Sequence, residues 1–236
     1  MPRLRPAGHV ALERALSKLR MASRSEAQRR IRNGDVTVNG RVVRNPLALV
    51  RPERDRILVA GAAAVGRPWR TIAMHKPRGT VTTRRDPEGR RTVFDVLGEA
   101  GDGLVAVGRL DLASSGLLLL TTDTQLAERL TNPKNAVVRR YAVTVDGFVS
   151  DADCAALEEG IGDWRAAAVR VRKRSRRETH LIVELTEGKN REIRRLFAAI
   201  GTEVAKLLRV AYGPIELGSL QPGEWRELTR DAFSRP

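Results

Sequence analysis

Near the start of the chain, apolar residues fall at helical spacing. Leu12, Leu16 and Leu19 recur between Val10 and Arg20, with Glu13, Arg14 and Lys18 off that stripe. A second helix is expected at "SRSEAQRRIRNGD", where Ser23 and Glu26 have the spacing of a capping box and Gly34 supplies a stop. Ala27 and Ile31 mark its inner side, leaving Arg24, Gln28, Arg29, Arg30 and Arg32 outside. The pattern then switches to alternation in "VTVNGRVV", and Asn39-Gly40 is the strongest short signal for a two-residue hairpin. "ILVAG" near Ile57 adds a strand. The small, Gly/Ala-rich "AGAAAVGRPWR" reads as a linker.

From Thr71 onward, short strand-like segments alternate with turns and a few helices. "TIAMHKPRGTVTT" predicts strand, turn, strand, and "LVAVGRLD" and "GLLLLTTD" are two further apolar segments. "TQLAERL" and "DADCAALEEGI" read as helices; "RRYAVTVDG", "THLIVELTEG", "EVAKLLRV" and "IELGSL" read as strands. "NREIRRLFAAIG" predicts an amphipathic helix with Asn190 as N-cap and Gly201 as stop, its apolar face being Ile193, Leu196, Phe197 and Ile200. Irregular interleaving of strands and helices predicts an α+β fold with a mixed, largely antiparallel sheet flanked by helices. A small α/β module precedes it. The divisions expected are residues 8–60, a linker over 61–70, and a large domain over 71–236.

Charge sharpens that division. The net charge is +15, and residues 1–60 hold fourteen of the 43 Lys/Arg against five of the 28 Asp/Glu. Such a surplus points to a polyanion partner. Cap, hairpin and charge agree within one short unit, which favours RNA over a merely solvated basic helix. The 42% apolar content fills an ordinary core. No apolar run long enough to span a membrane and no signal segment is visible, so a soluble, cytoplasmic protein is expected. Cys154 is the sole cysteine, and His9, His75 and His180 lie far apart, which argues against a disulfide and against zinc. Neither GxGxxG nor GxxxxGK[ST] occurs, so no nucleotide cofactor is indicated.

One stretch concentrates candidate chemistry: "GRLDLASSGLLLLTTD", Gly108 to Asp123. If the apolar segment ending here is a strand, Arg109 and Asp111 share a face and stand at the rim of a sheet, before a Ser-Ser-Gly turn. Spacing alone favours a plainer reading, an Arg–Asp pair capping a turn. Acting on RNA, however, a lone carboxylate is short of the pair most glycoside hydrolases use and of the acidic cluster a metal nuclease gathers. One aspartate suits covalent catalysis, with a neighbouring arginine holding it charged and oriented.

"VGRLDLASSGLLLLTTD" resembles the central motif of the pseudouridine synthases. From about Val10 to Leu228 the chain resembles the RsuA/RluB/RluE/RluF branch, which pairs such a catalytic domain with a small RNA-binding domain named after ribosomal protein S-four. "ASRSEAQRRIRNGDVTVNGRVV" carries the likeness to that small domain. "KPRGTVTTRRDPEGRRTVFDVL", "NPKNAVVRRYAVTVDG" and "LTEGKNREIRRLFAAIGTEVAKLLRVAYGPIELGSLQPGEWREL" follow in family order, and the "EGKNREIRRLF" form leans toward RluB. The resemblance implies the pseudouridine synthase fold and isomerisation of a uridine in RNA, with ribosomal RNA favoured and the large subunit over the small. It also implies no cofactor and no metal. Asp111 would be the catalytic aspartate on each of three routes: attack on the ribose, addition to the uracil ring, or passage through a glycal. Arg109 would orient the turn and help splay the RNA, Tyr141 would stack on the flipped uracil, Arg194 would pair with the aspartate, and Leu185 would pack beside the base. Arg195 competes with Arg194 for the inward position. Lys18, Arg20, Arg24, Arg29, Arg30 and Arg32 would face RNA in the small domain, and Lys76, Arg78, Lys189, Arg191 and Arg195 would line its path in the large one. Departures from the family pattern are mild: Thr122 and Thr124 stand where Asn and Gly are common, and Arg139 where lysine is. The protein is expected to act as a monomer on RNA and away from membranes. A non-catalytic RNA-binding or ribosome-assembly factor on the same scaffold is the alternative.

Overall fold

The computed structural model describes residues 8–19, 21–63 and 68–233. The chain forms two compact units: the first holds the chain up to Arg70 with 103–105 and 121–126, the second the remainder.

In the first unit, β1 (Val10–Ala11) leads into α1 (Leu12–Lys18), followed by α2 (Arg24–Asn33), β2 (Val36–Val38), β3 (Arg41–Val42), β4 (Leu49–Val50), β5 (Ile57–Val59) and β6 (Ala62–Ala63). Ser23 caps α2 by accepting the Glu26 N–H at 3.2 Å, and Gly34 closes it in the left-handed conformation. The Glu26 carboxylate reaches Arg30 at 2.9 Å. Asn39 and Gly40 both have positive φ, 52° and 81°, as a tight hairpin between β2 and β3 requires. Leu12, Leu16, Ala27, Ile31, Val36 and Ile57 are buried as one core. The predicted linker begins as structure: β6 pairs with β5 across a turn at Ala60-Gly61, where both φ angles are positive.

Apart from Val105, Thr121 and residues 124–126, which group with the first unit, the second unit holds the nine-stranded sheet seen among the described residues. Its elements are β7 (Thr71–Lys76), α3 (Val93–Leu97), β8 (Val105–Val107), β9 (Ser115–Thr121), α4 (Thr124–Thr131), β10 (Arg139–Asp146), α5 (Asp151–Glu159), β11 (Ala168–Arg174), β12 (Glu178–Leu185), α6 (Glu192–Ala199), β13 (Val204–Tyr212), β14 (Ile215–Glu216) and β15 (Trp225–Leu228). The strand order is β11-β12-β10-β13-β9-β7-β15, with β14 on β13 and β8 on β9. β11-β12-β10-β13, β13-β14 and β7-β15 pair antiparallel, and β9 runs parallel to β13 at the centre. Leu117, Leu118, Leu119 and Leu120 are wholly buried, so the leucine run is an interior strand covered on both faces.

Several boundaries depart from the sequence pattern. The strand expected in "TVTT" shrinks to one bridge, Val81 to Thr92. β11, β15 and α3 escaped the periodicity; β11 is masked by its charges, and α3 is a five-residue helix fixed by a Thr92/Asp95 capping box. Arg191, not Asn190, takes the N-cap position of α6, in a left-handed conformation with φ 54°.

Candidate active site

The Asp111 loop, residues 108–114, joins β8 to β9. Its geometry differs from the expected one. β8 stops at Val107, and Gly108 has φ +71°, so the strand parity that would set Arg109 beside Asp111 is lost. The tight turn is Asp111 to Ser114, closed by the Ser114 N–H donating to the Asp111 carbonyl at 3.0 Å, while Ser115 and Gly116 already belong to β9.

The "KPRGTVT" segment holds this loop in place. The Thr82 hydroxyl donates to the Leu110 carbonyl at 3.0 Å and accepts the Leu110 N–H at 3.3 Å. The Gly79 N–H donates to the Leu112 carbonyl at 2.8 Å, and Lys76 Nζ donates to the Ser114 carbonyl at 2.8 Å. On the other flank, β9 pairs with β13 through Gly116 opposite Arg209. A Cβ at Gly116 would lie 2.3 Å from the Arg209 carbonyl oxygen and 2.6 Å from its nitrogen, so only glycine permits the parallel pairing. Four fixed points therefore bracket a half-buried carboxylate.

Asp111 opens onto a cavity of about 510 Å³ that Arg109, Tyr141, Leu185 and Arg194 also line. Tyr141 and Leu185 are buried on one face of the sheet, Tyr141 from β10 and Leu185 from β12. Arg194 comes from the first turn of α6 and donates through Nη1 to the Val204 carbonyl at 2.8 Å. Burial pulls its pKa down, as does the neighbouring Arg191, while Asp111 acts in the opposite sense. Arg195 points elsewhere: it is exposed, with its guanidinium 4.7 Å from the Trp164 ring centre. Of the two neighbours, Arg194 is the inward one.

Two expectations change. Among the described residues no ion pair joins Arg109 to Asp111, and Arg109 is exposed. Arg194 and Lys76 are the cations whose charge acts with Asp111. Lys76, expected on the RNA path, is wholly buried with its ammonium bonded to the Ser114 and Pro77 carbonyls. Burial lowers its pKa from 10.5 to about 8, with Arg209 acting in the same sense and Asp111 against it. It supports the loop from below and cannot reach RNA.

The remaining basic residues are dispersed. Lys189 and Arg191 line the cavity mouth and are exposed, Lys189 paired with Glu187 at 2.7 Å. Arg78 is exposed and close enough to act electrostatically on Arg194. Lys18, Arg24, Arg29 and Arg32 are exposed on the first unit, and Arg30 is half-buried against Glu26. Arg20 lies outside the described residues. Sequence reasoning missed the cavity's inner wall. Arg209 is 2% exposed and donates through Nε to the Leu117 carbonyl at 2.6 Å. Arg139 donates to the Thr186, Glu187 and Leu130 carbonyls and to the Tyr212 hydroxyl. Glu192 is 4% exposed, its pKa raised by burial. The available signal was a charged residue at an inward position of an otherwise apolar strand, as in "KLLRVAY".

Comparison with known proteins defines the class first. The fold matches a solved pseudouridylate synthase with a TM-score of 0.66 and 27% identity, covering 95% of this chain and 98% of that one. The family profile described as RNA pseudouridylate synthase matches residues 70–199, and that of the S4 domain matches residues 12–57. The chain belongs to the RNA pseudouridylate synthase family; it is a pseudouridine synthase, an intramolecular isomerase, with an RNA-binding S-four domain at its amino-terminal side. Among its relatives is the ribosomal large subunit pseudouridine synthase B of Escherichia coli K12, 41% identical over 230 residues, 92% of this chain and 78% of the relative. An RNA pseudouridine synthase of Aquifex aeolicus is 34% identical over 231 residues, 96% of this chain and 93% of the relative. Among the described residues no helix is long and apolar enough to cross a membrane, and no group of three or more His, Cys, Asp or Glu is placed to hold a metal.

Proposed function

We propose that this protein isomerises a uridine of large-subunit ribosomal RNA to pseudouridine, with Asp111 as the catalytic carboxylate. The observation that carries this reading is the placement of Asp111 at the opening of a cavity shared with Tyr141, Leu185 and Arg194. The likeness to large-subunit synthases over 92% of the chain supports the choice of RNA.

The reaction breaks the bond from ribose C1′ to uracil N1 and forms one from C1′ to C5. Every atom is retained except the C5 proton, which leaves as the new nitrogen takes one up. The target base must first leave its stack, at a cost of a few kcal/mol. Tyr141 offers a ring face to the flipped uracil, and Leu185 closes the pocket beside it. Asp111 acts on the uridine. Its loop is pinned at Leu110, Leu112, Ser114 and Gly116, so the carboxylate meets the nucleotide without reorganising. Arg194 and Lys76 supply positive charge around it. Arg24, Arg29 and Arg32 of the S-four domain hold RNA phosphates, as do Lys189 and Arg191 at the cavity mouth.

Large-subunit ribosomal RNA carrying tritium at uracil C5 tests the reading. The wild-type protein should release tritium and Asp111→Asn should release none, with unchanged RNA affinity. Equal release by both proteins removes Asp111 from the chemistry, and no release from any large-subunit transcript removes the substrate.

A further inference from the structure

A second groove, of about 400 Å³, reaches Asp111 from the other side of its loop. It shares Arg109, Leu110, Asp111 and Asn190 with the uracil cavity, and its far wall is the 81–90 segment. That volume falls within the roughly 300–1,000 Å³ of ordinary small-ligand sites. A uridine held in the first cavity remains covalently joined to two neighbours, and their backbone has to leave past Asp111.

The far wall is braced by hydrogen bonds and, among the described residues, leaves the Arg85 side chain unpaired. Val81 is tied to the 91–93 backbone by two hydrogen bonds, its N–H to the Arg91 carbonyl and its carbonyl to the Val93 N–H. Arg84, although exposed, is engaged, its guanidinium 4.1 Å from the Phe94 ring centre and donating to the Gly101 carbonyl. Arg90 is consumed by Asp86: Nε and Nη2 donate to its two carboxylate oxygens at 2.9 and 2.7 Å, and the Arg90 N–H donates to the same group. A further Arg90 contact goes to Glu88. Arg85 sits between these anchors. Its backbone is fixed on both sides by the Thr83 hydroxyl, yet its side chain is exposed and, among the described residues, makes no ion pair or hydrogen bond. Arg109, across the groove, is likewise exposed and, among the same residues, unpaired. Leu112, 41% exposed, forms an apolar lip beside them.

We propose that this groove is a subsite for the nucleotide next to the target uridine, with Arg85 and Arg109 holding its phosphodiester and Leu112 lying against its sugar or base. The proposal rests on the reading of Asp111 given above. Arg85 is a positioning residue: a phosphate fixed there orients the adjoining ribose toward Asp111. The Asp86–Arg90 pair keeps the Arg85 loop in shape rather than binding RNA itself. An arginine is the apt side chain, because its planar fork grips a phosphate through two donors where lysine offers a point charge.

Arg85→Gln and Arg85→Lys test it in the full chain, with tritiated large-subunit ribosomal RNA as the probe. Arg85→Gln should raise KM about tenfold, with the loss falling mainly on KM rather than kcat, and Arg85→Lys should recover part of it. In an Asp111→Asn background, adding Arg85→Gln should weaken RNA binding by a similar factor. It should also flatten the slope of log affinity against log salt by about 0.7–0.9, the share of a single phosphate. Unchanged KM and an unchanged salt slope overturn the proposal. So does a loss for Asp86→Asn with none for Arg85→Gln, which would make the loop a support only. If the wild-type protein released no tritium at all, the assigned reaction would fail, while the salt slopes would still decide the groove.

Discussion

Lys76 is the residue whose surroundings most constrain its behaviour. A wholly buried ammonium is costly, and here only two carbonyls and the field of Asp111 compensate it. Its pKa falls from 10.5 to about 8 in the folded protein. Below pH 8 both folded and unfolded chains hold the proton, and the burial penalty is present in full. Between about pH 8 and 10.5 the unfolded chain binds more protons, so this group makes unfolding free energy rise with pH across that window. Urea unfolding at about pH 7.5 and pH 9.5 should show that gain in the wild type and lose it in Lys76→Met. Parallel profiles for the two proteins would mean that burial does not lower the pKa of this lysine. Arg139 shows the same economy, its guanidinium held by three main-chain carbonyls and the Tyr212 hydroxyl, while Arg209 is anchored through Nε to the Leu117 carbonyl with its Nη2 buried and unbonded.

Among the elements, the β9–β13 pair carries the site. Both strands are interior, and the Asp111 loop hangs from the start of β9 where Gly116 meets Arg209. Gly116→Ala should cost about 2–4 kcal/mol by thermal or urea unfolding, since backbone and not a flexible side chain blocks the added carbon. The surviving folded fraction should release tritium slowly, because the strand that aims Asp111 must shift. A destabilisation of under about 0.5 kcal/mol, the range of an ordinary surface substitution, would refute the close approach. At the sheet edge, β11 solves a different problem. A bulge between Val171 and Lys173 accompanies the exposed Arg170 and Lys173, and charges and a bulge on an edge strand discourage pairing with another chain. Only Val169 and Val171 alternate with arginines before the run of charges, too short an apolar signal to mark this strand.

Across the whole molecule, RNA binding should be strongly salt-dependent. Aromatics are only 4% of the chain, so stacking on many bases cannot carry the affinity and phosphates must supply most of it. Replacing Arg24, Arg29 and Arg32 by glutamine should flatten the salt slope by about 0.7–0.9 for each phosphate no longer held, and weaken binding to all RNA sequences alike. All three are exposed on a helix whose inner face is sealed by Ala27 and Ile31, so circular dichroism should report an unchanged fold. An unchanged slope would move the RNA-binding surface off α2.

Features that depend on neighbours in the chain were legible before any folding. Ser23, Gly34 and Asn39-Gly40 set caps and a turn through contacts a few residues long, and the leucines of β9 declared a buried strand by composition alone. The resemblance named the motif around Asp111 and, with it, Tyr141, Leu185 and Arg194, and the fold lines one cavity with all four. The place of Lys76 beneath the Asp111 loop emerged only from the folded chain. Strand parity had nominated Arg109, but a left-handed Gly108 ends the strand first, and Lys76 arrives from a segment more than thirty residues earlier in the chain. Folding also separated Arg194 from Arg195 and buried Arg209 behind Leu117. Local patterns specify local geometry. The burial of a charge depends on what the rest of the chain lays over it, and no short-range pattern records that.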